Sequence, residues 1–267
     1  MQPVDFHVHF FPESIADKVV GFLAAHYGIP VNYRGVKDEY LELGRKAGVQ
    51  TAVFSTAATR PDQVKAANDW ALENRDRFFV PFGTLHPHGE VAEIDAELAR
   101  LRAAGIKGVK LHPDFQYFNL DEDRALFLYE RLAGDFVLLL HVGDDETPDK
   151  FNYATPEKLA RVLDLFPGLT VIAAHMGGYR MWDRAMNALV GRKVFLDTSS
   201  SLDFLPDEKF VLMAREHGTH RIVMGSDYPF RDPGWEVGRL KGLGLKNDEL
   251  EAVVFRNALR LLAATGM

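Results

Sequence analysis

Short apolar runs of four to eight residues recur along the chain, separated by longer stretches in which apolar residues return every three or four positions. The runs are Val4–Phe10, Thr51–Thr56, Phe78–Leu85, Ile106–His112, Val137–Val142, Thr170–His175, Val194–Thr198 and Ile222–Asp227. Their Val, Ile, Leu and Phe content marks them as buried strands. Between them, Pro61–Arg75, Val91–Ala103, Asp121–Ala133, Pro156–Phe166, Met181–Val190 and Asp207–His217 carry helical spacing, and several open on Pro or Asp as helix N-termini prefer. Asn247–Ala264 reads as a terminal helix with Leu250, Val253, Val254 and Leu261 on one face. Strands alternating with helices at about 25 to 45 residues per unit predict a parallel sheet. Eight such units without a Pro/Gly/Ser-rich linker favour a single-domain (β/α)8 barrel, the TIM-barrel architecture, over an open doubly wound sheet.

The polar residues that interrupt this pattern cluster at the ends of the strands. Side chains alternate faces along a strand, so His7 and His9 project together, about 7 Å apart. The same count puts Asp5 on their face, opposite Val4, Phe6 and Val8. Lys110 and His112 share a face of the fourth run, and the fifth, sixth and eighth runs lead into His141, His175 and Asp227. In a barrel these ends meet in one mouth, where catalytic residues sit. A lone His-x-His pair is weak evidence, and each remaining residue taken singly has a structural explanation. Together, imidazoles and a carboxylate converging on one mouth point to a shared metal site.

Composition narrows the function. The chain has 267 residues, 47% hydrophobic and 26% charged, with a net charge of -7. An acidic balance disfavours a general nucleic-acid binder. No apolar run approaches the roughly 18 to 20 residues that span a bilayer. His and Asp within the first ten positions leave no signal-peptide core, so a cytoplasmic enzyme without a membrane partner is expected. Cysteine is absent, which excludes disulfides, a zinc finger and a cysteine nucleophile.

The ordered set His7-Val8-His9, His141, Ala174-His175-Met176-Gly177-Gly178 and Gly225-Ser226-Asp227-Tyr228-Pro229 resembles the amidohydrolase superfamily. More narrowly it is similar to the branch of amidohydrolase-related, metal-dependent TIM-barrel hydrolases and decarboxylases. Gly108-Val109-Lys110-Leu111-His112-Pro113 and Asn257-Ala258-Leu259-Arg260-Leu261-Leu262 extend the likeness over nearly the whole chain. The resemblance implies that His7, His9, His141 and Asp227 hold a divalent metal, zinc foremost, with manganese, iron and cobalt as alternatives. His175 would either ligate a second metal or act with Asp227 in catalysis. Carbamylated Lys110 would bridge two ions; otherwise one ion is expected, and Lys110 or His112 meets the substrate.

Phe115, Tyr179 and Arg180, from loops after the strands, are further candidates for binding substrate. Phe11, Gln116, Tyr117, Trp182, Tyr228, Arg231, His86 and His88 are weaker candidates for the pocket wall, whereas His26, His217 and His220 read as surface residues. The leading expectation is hydrolysis of a small carboxylic amide, lactone or ester by metal-activated water. The alternative is non-oxidative decarboxylation of an aromatic or unsaturated carboxylate, with hydration of a double bond third. A TatD-like nuclease is disfavoured by charge and by Lys110 and His112 where that group carries an acid. A non-catalytic scaffold is disfavoured because the whole candidate ligand set is present. A small-molecule substrate is the expected partner, and a homodimer the default assembly.

Overall fold

The computed structural model describes residues 2–145 and 151–266. Its eight strands are β1 (Val4–Val8), β2 (Thr51–Ser55), β3 (Phe79–Thr84), β4 (Gly108–Leu111), β5 (Val137–Leu140), β6 (Thr170–Ala173), β7 (Phe195–Asp197) and β8 (Ile222–Val223). They pair in parallel and in chain order. The ring closes where Phe6 N–H donates to the Met224 carbonyl at 2.8 Å and Asp227 N–H to the His7 carbonyl at 2.9 Å. This is the expected TIM barrel. The strands stop short of the predicted runs, so His9, His112, His141, His175 and Asp227 stand just beyond the sheet. His175 and Asp227 have left-handed backbone, with φ of 59° and 58°.

Two packed layers follow from the two faces of each strand. Phe6, Phe82, Leu139, Ile172 and Val223 fill the barrel interior, closed below by Ala258, Leu261 and Leu262. Val109, Leu111, Leu138, Leu140 and Val171 face outward into the helical layer. Counting by two from the interior residues places Lys110, His141 and Asp227 over the mouth. Gly108 carries no side chain because a Cβ there would lie 2.1 Å from the Phe82 ring.

β1 breaks the rule. Its register shifts between Asp5 and Val8, so Phe6 and His7 do not alternate as a regular strand would. Asp5 therefore faces outward, accepting the Tyr40 hydroxyl at 2.8 Å, and does not share the face of His7.

Several helices match the predicted bounds: Val91–Ala103 and Asp207–His217 coincide with them, and Pro156–Leu165 starts on Pro after Thr155, whose side chain accepts Lys158 N–H. The terminal helix is instead divided by a π-helical turn over Ala252–Arg256. Helices Glu13–Tyr27, Lys37–Ala47 and Pro233–Gly242 were not anticipated. Only Ala16 and Leu23 of Glu13–Tyr27 are buried, so its sequence lacks a strong core-facing stripe. Among the described residues, no helix is long and apolar enough to cross a membrane.

Candidate active site

His7 and His9 are oriented by their Nδ1 atoms. His7 Nδ1 lies 2.8 Å from Asp197 Oδ2, and His9 Nδ1 lies 2.8 Å from the Ser55 carbonyl. Both partners accept, so each Nδ1 carries the proton and each Nε2 presents a lone pair. Those two Nε2 atoms are 3.0 Å apart, with Asp227 Oδ1 at 3.5 and 3.6 Å from them. Two lone pairs and a carboxylate oxygen aimed at one another call for positive charge between them, from a bound cation or from Lys110, whose Nζ is 3.2 Å from His7 Nε2. One ligand atom from each of His7, His9 and Asp227 falls within 4.8 Å of the others, as a metal site requires. The residues present thus fit a divalent ion.

The remaining ligand candidate, His141, is grouped not with these three but with His112 and Asp145, and it meets the site through His175. His141 Nδ1 is 3.1 Å from His175 Nε2, and His175 Nδ1 is 3.0 Å from the Ser199 carbonyl. His141 Nε2 is buried and has no hydrogen-bond partner among the described residues. Asp227 Oδ2 accepts the Ser200 hydroxyl at 2.5 Å, which fixes the carboxylate over the mouth.

Electrostatics favour neutral ligands and one cationic neighbour. Burial, followed by the nearby Lys110 charge, holds His7 well below the usual imidazole range and lowers His9. Burial likewise pushes His112 and His141 well down. Neutral imidazoles are the metal-binding form. Burial would raise Asp227, but His7, His175 and His9 bring its carboxyl below the ordinary value. Lys110 is depressed by burial to about 8, with Asp227 and Asp197 opposing the shift, and its Nζ lies 3.2 Å from His7 Nε2.

Above this floor opens a cavity of about 990 Å³. Lys110, His112, Phe115 and Tyr179 line it, as do Phe11 and Tyr117. Arg180 is exposed and lies outside the lining, its guanidinium 4.6 Å from the Phe204 ring centre and 5.4 Å from that of Tyr179. Gln116 is buried behind the wall, donating to the Ala58 and Leu85 carbonyls and accepting His112 N–H at 2.9 Å. Tyr228 turns outward to Glu39, Trp182 donates to the His175 carbonyl, and Arg231 pairs with Asp203. His86 is buried and His88 pairs with Glu122, both outside the lining.

Two histidines read as surface residues are not. His217 is buried between Val194 and Gly191, and His26 bonds Asp145, whereas His220 is exposed.

Sequence reasoning missed Asp197, Ser199, Asp145 and Tyr27. Asp197 had a usable signal, since it is an acid one residue from the end of the seventh run and closes β7. Asp145 had none. Its carboxylate accepts Tyr27 Oη–H and His26 Nε2 (3.0 Å), and its Oδ1 stands 3.7 Å from His112 Nε2 and 3.8 Å from His141 Nε2. It therefore ties helix Glu13–Tyr27 to the rings at the floor.

A family model described as amidohydrolase matches residues 4–263. The chain belongs to the amidohydrolase family. It is an enzyme of that superfamily. A search of curated sequences gives no match. Among solved structures, an uncharacterised TIM-barrel protein from Bordetella bronchiseptica is similar over 100% of both chains, at 21% identity and a TM-score of 0.79. A 2,6-dihydroxybenzoate decarboxylase bound to 2,6-dihydroxybenzoate is similar over 98% of this chain and 100% of its own, at 19% identity and a TM-score of 0.72. A 5-carboxyvanillate decarboxylase from Sphingomonas paucimobilis is similar over 98% and 99%, at 14% identity and a TM-score of 0.71. At these identities the likeness establishes the fold.

Proposed function

We propose that this amidohydrolase-family enzyme is a divalent-metal-dependent decarboxylase that removes the carboxyl group of an aromatic acid without an oxidant. The observation that carries the reading is a polar, partly cationic floor beneath a deep cavity with aromatic walls. Similarity to decarboxylases of 2,6-dihydroxybenzoate and 5-carboxyvanillate supports it. It reverses the order of the two reactions expected from sequence, where hydrolysis came first.

In this reading His7, His9, His141 and Asp227 hold one ion, zinc or manganese; a similar dihydroxybenzoic acid decarboxylase from a Polaromonas species carries manganese. When bound, the cation supplies a fixed positive charge that neutralises and orients anionic substrate oxygens. Lys110, buried on the same floor, adds a second positive charge beside the ligands. Phe115, stacked on His112 at 4.1 Å, and Tyr179 bring aromatic rings into the lining beside the floor for the substrate ring. His175 delivers the proton. The bond between ring carbon and carboxyl carbon breaks, its electron pair stays on the ring carbon, the His175 proton bonds there, and neutral CO2 leaves. Apolar walls favour that loss, because a carboxylate charge is consumed.

Hydrolysis of an amide, lactone or ester is the second reading. Asp227 favours it: a carboxylate fixed by Ser200 beside the two Nε2 atoms is placed to take a proton from an attacking water. The test is incubation of zinc- or manganese-loaded enzyme with carboxyl-labelled aromatic acids, including 2,6-dihydroxybenzoate and 5-carboxyvanillate. Decarboxylation releases labelled CO2 and, in D2O, leaves deuterium on the ring. Retention of label across the panel, with turnover of lactones or amides by the same preparation, would reject decarboxylation for hydrolysis.

A further inference from the structure

The cavity is larger than a single-ring acid needs, and its surplus is apolar. At about 990 Å³ it lies at the top of the range for small-molecule pockets, roughly 300–1,000 Å³. The buried groups able to hold a carboxylate stand at one end, on the floor; two exposed cations, Lys18 and the Asp62-paired Arg60, also line the cavity. Most of the remaining wall is apolar, from Phe11, Ile15, Val19, Phe22 and Leu23, on or beside helix Glu13–Tyr27, and from Trp70.

An aromatic track connects the two ends. His141 stacks on His112 at 4.1 Å, His112 on Phe115 at 4.1 Å, and Phe115 meets Phe22 at 6.2 Å between ring centres. Phe22 is 58% exposed and Ile15 45%, so the outer end leaves large apolar side chains in water. Apolar surface of this kind, continuous with a ligand cavity, gains free energy when a ligand covers it. Helix Glu13–Tyr27 is held in place by Tyr27 and His26 on buried Asp145, so the wall is a built part of the site.

We infer that the substrate is an aromatic carboxylate with an extended apolar substituent, an alkyl chain or second ring, seated between helix Glu13–Tyr27 and Trp70. The inference rests on the proposed reading of the floor as the carboxylate end. A substituent para to the carboxylate points away from the floor, along the track toward Phe22.

The test is calorimetric titration of the metal-loaded enzyme with benzoate and its 4-butyl, 4-hexyl and 4-octyl derivatives. Affinity should rise roughly 3- to 4-fold per methylene, as buried CH2 groups do. Ile15→Ser with Phe22→Ser, both at exposed positions, should flatten that rise. Affinity that is level or falls with chain length in the wild type overturns the inference. So does a dimer that dissociates when Phe22 is replaced, which would make a second copy the cover for this face. CO2 release is read separately on the 2,6-dihydroxy analogues of the same acids. A steep chain-length series without CO2 supports the apolar tail and rejects decarboxylation; CO2 release with a level series does the reverse.

Discussion

Replacing Asp197 by Asn distinguishes a metal site from a hydrogen-bonded histidine cluster. Asp197 Oδ1 accepts the backbone N–H groups of His175 (2.9 Å) and Ser199 (3.1 Å) and the Ser199 hydroxyl (2.5 Å). Its Oδ2 accepts from His7 Nδ1 at 2.8 Å. In Asp197→Asn those three donors keep the amide oxygen at the Oδ1 position, and the NH2 group must face His7 Nδ1. An NH2 donor facing His7 Nδ1 suits the lone-pair form of that nitrogen, with the Ser199 hydroxyl oxygen 3.0 Å away as the competing acceptor, and so favours transfer of the ring proton to Nε2. That is the atom aimed at His9 and Asp227, and a protonated Nε2 cannot ligate. Loss of the partner that orients a ligating histidine lowers metal affinity by about 10- to 100-fold, or about 1.4–2.7 kcal/mol. The unfavourable tautomer places Asp197→Asn toward the upper end of that range. Affinity is read by titrating stripped protein with Zn2+ against a chromophoric chelator, with circular dichroism to confirm the fold. Zinc binding at wild-type strength in a folded Asp197→Asn protein would refute the reasoning.

Other consequences follow from the same contacts. Lys110→Met, an apolar replacement for a buried cation, should keep the fold and weaken benzoate binding about 10-fold or more by calorimetry; undiminished binding would remove Lys110 from the substrate site. Asp145→Asn, which loosens helix Glu13–Tyr27, should raise KM for the extended acids more than for benzoate, and an equal change for both would mean that Asp145 does not act through that helix. Gly108→Ala puts a methyl group into the Phe82 ring and should cost about 3 kcal/mol in urea unfolding; a neutral effect would contradict the packing inside the barrel. His217 is lowered from 6.5 to about 4, chiefly by burial. The unfolded chain therefore takes up this proton first as pH falls, so the contribution is complete above pH 6.5 and is lost toward pH 4, about 3 kcal/mol in all. His217→Asn should show a shallower loss of urea stability between pH 7 and 4.5, and parallel profiles would refute it.

Much of the site was legible because a barrel repeats one rule. Side chains alternate along each strand, and the C-terminal ends of all strands meet. That rule carries Lys110, His141 and Asp227 into the mouth from apolar neighbours alone. It failed for Asp5, where a register shift in β1 breaks the alternation, and such a shift leaves no mark in composition. Asp197 obeyed the rule and was overlooked. Tyr27, His26 and Asp145 were out of reach because their contacts join residues 118 and 119 positions apart. Nothing local encodes such a meeting. Arg180 and Tyr228 illustrate the complementary failure: following a strand end places a residue near the mouth, but the turn decides whether its side chain enters. Helix Glu13–Tyr27 was hidden because its apolar residues serve a cavity wall, so the stripe that betrays a core-facing helix is weak.

The central claim is that His7, His9, His141 and Asp227 form one cation site, and metal content per chain tests it most directly. Protein purified without chelator or affinity tag, then measured by plasma mass spectrometry, should carry about one divalent ion per chain. The His9→Ala protein, folded by circular dichroism, should carry almost none. Wild-type protein that takes up no ion from zinc or manganese solution, or a His9→Ala protein that retains its ion in full, would contradict the account.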